Sequence, residues 1–97
     1  MNIGEGAIRA VDQAQRQIVD VVQNNDIGKG LKTLRKQSGM TLRQLAEKSM
    51  VNFGSISRYE NDISKPDFWK LYYIANAFGM SIEELVKFCT ENGEKQA

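Results

Sequence analysis

The sequence predicts an all-α domain, and three observations carry that expectation. No segment alternates apolar and polar residues with a two-residue period, so no sheet is expected. Thr41 to Gln44 and Ser81 to Glu84 both have capping-box spacing, in which a hydroxyl and a side chain three residues later satisfy orphan N–H groups at a helix start. Between them, Thr41 to Asn61 (T-L-R-Q-L-A-E-K-S-M-V-N-F-G-S-I-S-R-Y-E-N) reads as two short helices joined by a tight turn.

Taken in order, Ala7 to Asn24 is a helix candidate free of glycine and proline, with Ile8, Val11, Ile18 and Val21 or Val22 near helical spacing. Its middle is polar and its apolar stripe narrow, which suits docking on the rest of the domain or pairing with a second copy. Asn24-Asn25-Asp26 reads as a helix end and turn. From Ile27 to Ser38, Ile27, Leu31 and Leu34 make one apolar face, Lys29, Lys32 and Lys36 lie elsewhere, and Gly39 is placed to end the helix in the left-handed conformation. Within the central stretch, Leu45 and Ala46 face inward from the first helix while Arg43, Glu47 and Lys48 face solvent. Asn52 is a second N-cap, and Ile56 and Tyr59 form the buried stripe of the second helix. That leaves Phe53, Gly54, Ser57 and Arg58 on its other faces.

After a polar loop, Pro66, the sole proline, blocks continuation, and Asp67 caps a helix with Phe68, Leu71, Ile74 or Ala75, and Phe78 inward. Trp69, Tyr72 and Tyr73 fall off that stripe, which predicts partial exposure. The Ser81 capping box opens a last helix with Ile82, Leu85, Val86 and Phe88 inward. Three regions result: 1–26 as an extra helix for docking or dimerisation, 27–90 as the main domain, and 91–97 as a flexible tail.

At 97 residues the chain supports one small domain with a modest core. The single cysteine, Cys89, and the absence of histidine exclude an internal disulfide framework and a cysteine-histidine metal site. No apolar run approaches the roughly 18 residues of a membrane span, and the first residues lack a signal-peptide core, so a cytoplasmic location without membrane association is expected. Formal net charge is only +1, but it is unevenly spread. Residues 27–58 hold seven basic side chains against one acidic, whereas the segments on either side are net acidic. Such a concentration suits a phosphate backbone, or simply a solvated helical face.

The Thr41 to Asn61 stretch resembles the helix-turn-helix of lambda-repressor and Cro-like (XRE-type) transcriptional regulators. The matching residues are Leu45-Ala46, with a small side chain where two helices cross closely, Val51 after the turn, Ile56, and the Ser57-Arg58-Tyr59-Glu60-Asn61 ending. With its flanks the resemblance covers about Ile27 to Val86. It implies a five-helix lambda-repressor-like DNA-binding domain, here with an additional N-terminal helix. It also implies a sequence-specific regulator, a repressor by preference, that inserts the Asn52 to Asn61 helix into the major groove as a two-fold dimer on double-stranded operator DNA.

On that resemblance Asn52, Phe53, Gly54, Ser57 and Arg58 face base edges. Arg58 suits bidentate pairing with guanine, Phe53 packs on a thymine methyl, Ser57 bonds to either partner type, and Gly54 permits close backbone approach. Phosphate contacts come from the amide end of the Leu42 helix, from Arg43, and from Asn61 and Lys65. Arg35 and Glu60 correspond to a structural ion pair in relatives. Three residues depart from the family pattern: Leu42 where glutamine is frequent, Met50 where glycine usually occupies the turn, and Asp62 where glycine follows Glu-Asn. A left-handed Met50 costs about 1 to 2 kcal/mol.

No cofactor is expected. With no histidine, a late cysteine, no glycine-rich phosphate loop and no paired carboxylates in a cleft, an enzyme is not expected either. The competing reading is a protein-interaction module on the same fold, an antitoxin or accessory regulator whose Phe53, Trp69, Tyr72 and Tyr73 hold a protein partner. The dimer contact is open between the N-terminal helix and the Ser81 helix.

Overall fold

The computed structural model describes residues 3–92, with side chains from residue 13 onward. Six helices follow in order: α1 (Ile3–Asn24), α2 (Gly28–Gln37), α3 (Leu42–Ser49), α4 (Phe53–Glu60), α5 (Phe68–Ala77) and α6 (Ile82–Glu91). No strand occurs among the described residues, and none of the helices there is long and apolar enough to cross a membrane. This is the all-helical architecture expected, five family helices preceded by one more.

Local chemistry accounts for most of the helix ends. Thr41 Oγ1 accepts the Gln44 N–H at 3.1 Å while Gln44 Oε1 accepts the Thr41 N–H at 2.9 Å; Ser81 and Glu84 repeat the arrangement at 3.1 Å each way. Those hydrogen bonds also hold the Glu84 carboxyl below its ordinary value, because its ionised form accepts the Ser81 donor. The residues before each box repeat as well. Gly39 and Gly79 both take left-handed φ, and Met40 and Met80 then donate back to the carbonyls of Arg35 and Ala75, closing α2 and α5 alike. Asp67 caps α5 by accepting the Lys70 N–H at 2.8 Å.

The core gathers Leu31, Leu45, Val51, Ile56, Tyr59, Leu71, Ile74, Ala75, Leu85 and Val86, with Ile18 and Val22 from α1 buried at its edge. α1 packs on α5 and α6, burying Ile18 and Val22, and the expectations for the Ile8 and Val11 side chains and for the 93–97 tail lie outside the described residues. Two inward assignments shift. Ile27 is buried but precedes α2 as an uncapped N-cap residue, so the helix starts at Gly28. In α6 it is Cys89 that is buried, with Phe88 only half so. Burial raises the Cys89 thiol to about 12.

Close packing explains two glycines. A β-carbon on Gly30 would collide with the backbone of Cys89, and one on Gly28 would lie 2.5 Å from the carbonyl oxygens of both Tyr59 and Glu60. α2 therefore lies directly against α6 and, at its N-terminus, against the end of α4. That contact sets the position of α4 in the domain.

Candidate nucleic-acid interface

α3 and α4 meet through a turn built without glycine. Met50 takes φ 59° and ψ 23°, left-handed, and is 89% exposed, so its side chain gains no burial in exchange for the backbone cost. The turn is held instead by Ser49, whose buried Oγ accepts the Val51 N–H at 3.2 Å. Ser49 was not among the sequence candidates; its signal was a small hydroxyl at the last helical position before the turn.

α4 divides cleanly. Ile56, Tyr59 and Glu60 are buried, whereas Asn52, Phe53 and Arg58 are exposed and Gly54 and Ser57 half-buried. The five residues assigned to base edges thus share the part of the motif that the core leaves open. Arg58 forms no side-chain hydrogen bond or ion pair among the described residues, and neither does Arg43 or Lys48. Arg43 and Phe53 come together across a shallow groove completed by Ala46 and Glu47. A β-carbon on Gly54 would meet only Asn52 Oδ1, at 3.1 Å, so the fold makes little demand for glycine there.

Asn52 has a structural task in addition. Its Oδ1 accepts the N–H groups of Gly54 at 2.8 Å and Ser55 at 3.4 Å, leaving its amide nitrogen as the group free for an external acceptor. Asn61 Nδ2 donates to the Ser57 carbonyl at 2.8 Å, closing the end of its own helix. At α3, the capping box takes care of Thr41 and Gln44 and leaves the N–H groups of Leu42 and Arg43 without a protein acceptor among the described residues. Leu42 itself is half-buried against the core.

Lys65, expected to reach a phosphate, is engaged within the domain. Its ammonium donates to the carbonyls of Val22 at 2.9 Å, Gln23 at 3.0 Å and Asn25 at 2.8 Å, so all three N–H bonds close the C-terminus of α1. A cation there answers both the orphan carbonyls and the negative end of the helix. Those acceptors lie 40 to 43 residues upstream, which no local reading of the sequence reveals.

Under α4, Arg35 Nε donates to Glu60 Oε2 at 2.7 Å and Nη2 to Oε1 at 3.0 Å, while Nη1 reaches the Met40 carbonyl at 2.9 Å. The side chains are 9% and 3% exposed. This two-pronged contact joins α2 to the end of α4 and to the residue preceding the α3 cap.

No group of three or more metal-ligating side chains is assembled among the described residues. In comparisons with known proteins, the helix-turn-helix family matches residues 31–85. The chain is also 33% identical, over 60 residues, to the HTH-type transcriptional regulator ImmR of Bacillus subtilis (strain 168). That match covers 62% of this chain and 47% of ImmR, so the chain spans about half the length of that relative. With the paired helices, the buried scaffold of Leu45, Val51, Ile56 and Tyr59, and more than half its length matched, the chain belongs to the lambda-repressor-like, XRE-type helix-turn-helix family.

Proposed function

We propose that this protein is a sequence-specific DNA-binding transcriptional regulator, a repressor, acting in the cytoplasm as a two-fold dimer with α4 in the major groove. The observation that carries the reading is the division of α4: one face is buried to hold the helix, and the other presents Phe53 and an Arg58 without a hydrogen-bonding partner among the described residues, beside the free amide nitrogen of the Asn52 cap. The family and the name of the matched relative support the same class of function.

In this reading Arg58 pairs with a guanine edge, Phe53 lies on a thymine methyl, and Ser57 bonds to a base edge. Gly54 lets the backbone approach closely, and the free N–H groups of Asn52 face a base or phosphate. Arg43 and the Leu42 and Arg43 amides meet phosphates at the start of α3. Asn61 retains one N–H for a phosphate. Lys65 is not assigned to DNA, because its donors are taken by α1.

The test is selection of duplexes from a random pool, followed by titration of the selected duplex and a scrambled one across salt concentrations. A two-fold symmetric motif is expected, with binding that weakens steeply with salt but keeps its preference. Arg58→Ala should lose about 1 to 3 kcal/mol at one base position, whereas Arg43→Ala should weaken all duplexes alike and lower the salt slope by about one phosphate. Absence of any sequence preference would end the reading.

A second reading rests on Phe53, 47% exposed beside the groove it shares with Arg43. There α4 holds a protein partner instead of DNA. Recovery of one stoichiometric partner whose binding needs Phe53 but not Arg58 would favour it.

A further inference from the structure

We propose that the outer face of α5 is the surface through which two copies of this chain associate. The inference rests on the dimer included in the DNA-binding reading and assigns its contact, which the sequence left open between the first and last helices.

α5 is apolar on opposite sides. Leu71, Ile74 and Ala75 are buried in the core, while Trp69, Tyr72 and Tyr73 remain 59%, 42% and 47% exposed on the other side, with Asn76 beside them. Lys70 is the only charged residue of the helix. A helix apolar all round is normally covered all round. Here α3, α6 and α1 pack on α5, and this face stays open. The rings are already arranged relative to one another. Phe68 and Trp69 meet edge to face at 5.5 Å between centroids, Trp69 and Tyr72 at 6.0 Å, and Tyr72 and Tyr73 at 5.9 Å. Ordered rings of this kind lose little conformational freedom on docking.

The face is also self-complementary. Trp69 projects at its N-terminal end, and at its C-terminal end Tyr72, Ala75, Asn76, Met80 and Ile82 line a groove between α5 and the start of α6. Two α5 helices laid antiparallel about an axis between Tyr72 and Tyr73 bring each Trp69 opposite Asn76 of the other copy, at the edge of that groove. Each Tyr72 then faces a Tyr73. One patch meets itself with a knob at one end and a recess at the other, which is what an isologous contact requires.

The area suits a weak, concentration-dependent dimer. Taking roughly 150 to 250 Å² per aromatic side chain, the exposed parts of the three rings amount to roughly 300 Å² per copy. Two copies thus bring together roughly 600 Å² of ring surface, to which the groove walls and polar rim add, toward the roughly 1,000 Å² of specific association. An uncharged aromatic centre with Lys70 and Glu83 toward the rim has the composition of an interface core.

The test uses the full chain without DNA, and Trp69, its only tryptophan, is the reporter. Sedimentation should show a concentration-dependent dimer, with tryptophan emission moving to the blue as dimer forms. Trp69→Ala, followed by sedimentation alone, and Tyr73→Glu should each weaken the dimer at least about thirtyfold. Helical content should hardly change, and neither should the urea midpoint at protein concentrations low enough for the parent to be monomeric, because both side chains are exposed. A chain that stays monomeric with constant emission overturns the proposal. So does a dimer indifferent to both substitutions. Duplex binding measured in parallel separates the two readings. Dimerisation through α5 without sequence preference sustains this inference and removes the DNA reading, whereas a monomer that prefers one half-site does the reverse.

Discussion

The carboxylate of Asp62 accepts the backbone N–H of Gly28 at 3.0 Å, joining the loop after α4 to the first turn of α2 across 34 residues of sequence. Asp62 holds this position with φ 56°, and Gly28 admits it because a side chain there would strike the end of α4. The carboxylate does for α2 what Ile27 cannot do as its N-cap residue.

Asp62→Ala removes the cap and keeps a β-carbon in a left-handed position, so a loss of about 1 to 2 kcal/mol is expected in urea unfolding. Asp62→Asn retains both an acceptor and tolerance of the conformation and should stay close to the parent protein. Asp62→Gly exchanges backbone relief for the lost cap and should fall between them. Equal stability of all three would show that the contact contributes nothing.

Met50→Gly should stabilise the protein by about 1 kcal/mol. The substitution removes a left-handed β-carbon, and the exposed thioether gives up almost no packing, while glycine's greater freedom in the unfolded chain takes back part of the gain. Thermal unfolding reads this directly, and a lower midpoint for the variant would contradict it.

Arg35→Met and Glu60→Met should each cost about 3 kcal/mol, because either change leaves one buried charge without its partner. The double variant should be less destabilised than the two losses added, since it leaves no charge behind. As the pair is buried, raising the salt concentration should scarcely alter the coupling measured in the cycle. Additive losses would mean that the two residues act independently.

Cys89 should resist thiol reagents at pH 8 in the folded protein. Burial places its thiol near 12, so almost no thiolate exists, and the sulfur is out of reach. Full labelling should follow within the unfolding transition. Stability should be lost at high pH in this respect, since a group whose folded value is raised by burial binds its proton more tightly when folded. That contribution is intact below the ordinary thiol value of 9.0 and is lost progressively as pH rises from there to about 12, the window in which the unfolded thiol ionises while the folded one keeps its proton. Rapid labelling under native conditions would refute the burial.

Much of the fold was legible because the signals were local. The Thr41 and Ser81 boxes, the Asp67 cap, the Gly39 stop and the split of α4 into buried and open faces all depend on residues within one or two turns of each other. Lys65 shows where that reading stops. Beside the motif it looks like a phosphate contact, yet its ammonium closes α1. Asn52 reads in sequence both as cap and as base contact; the structure shows the cap, which takes the amide oxygen and leaves the nitrogen free. Trp69, Tyr72 and Tyr73 were expected to be partly exposed, but only their edge-to-face order and the groove beside them make a surface of them.

By itself the sequence determined the number of helices, most of their ends and, for α3, α4 and α5, which side faces inward. Those properties follow from side-chain periodicity and from hydrogen bonds spanning three or four residues. The tertiary structure alone decided which helix ends meet: Asp62 on α2, Lys65 on α1, and Gly28 and Gly30 where α2 lies against α4 and α6. Orphan N–H and C=O groups at a helix end must find partners, and when none lies nearby in the chain, only the packing of distant segments determines which residue supplies them.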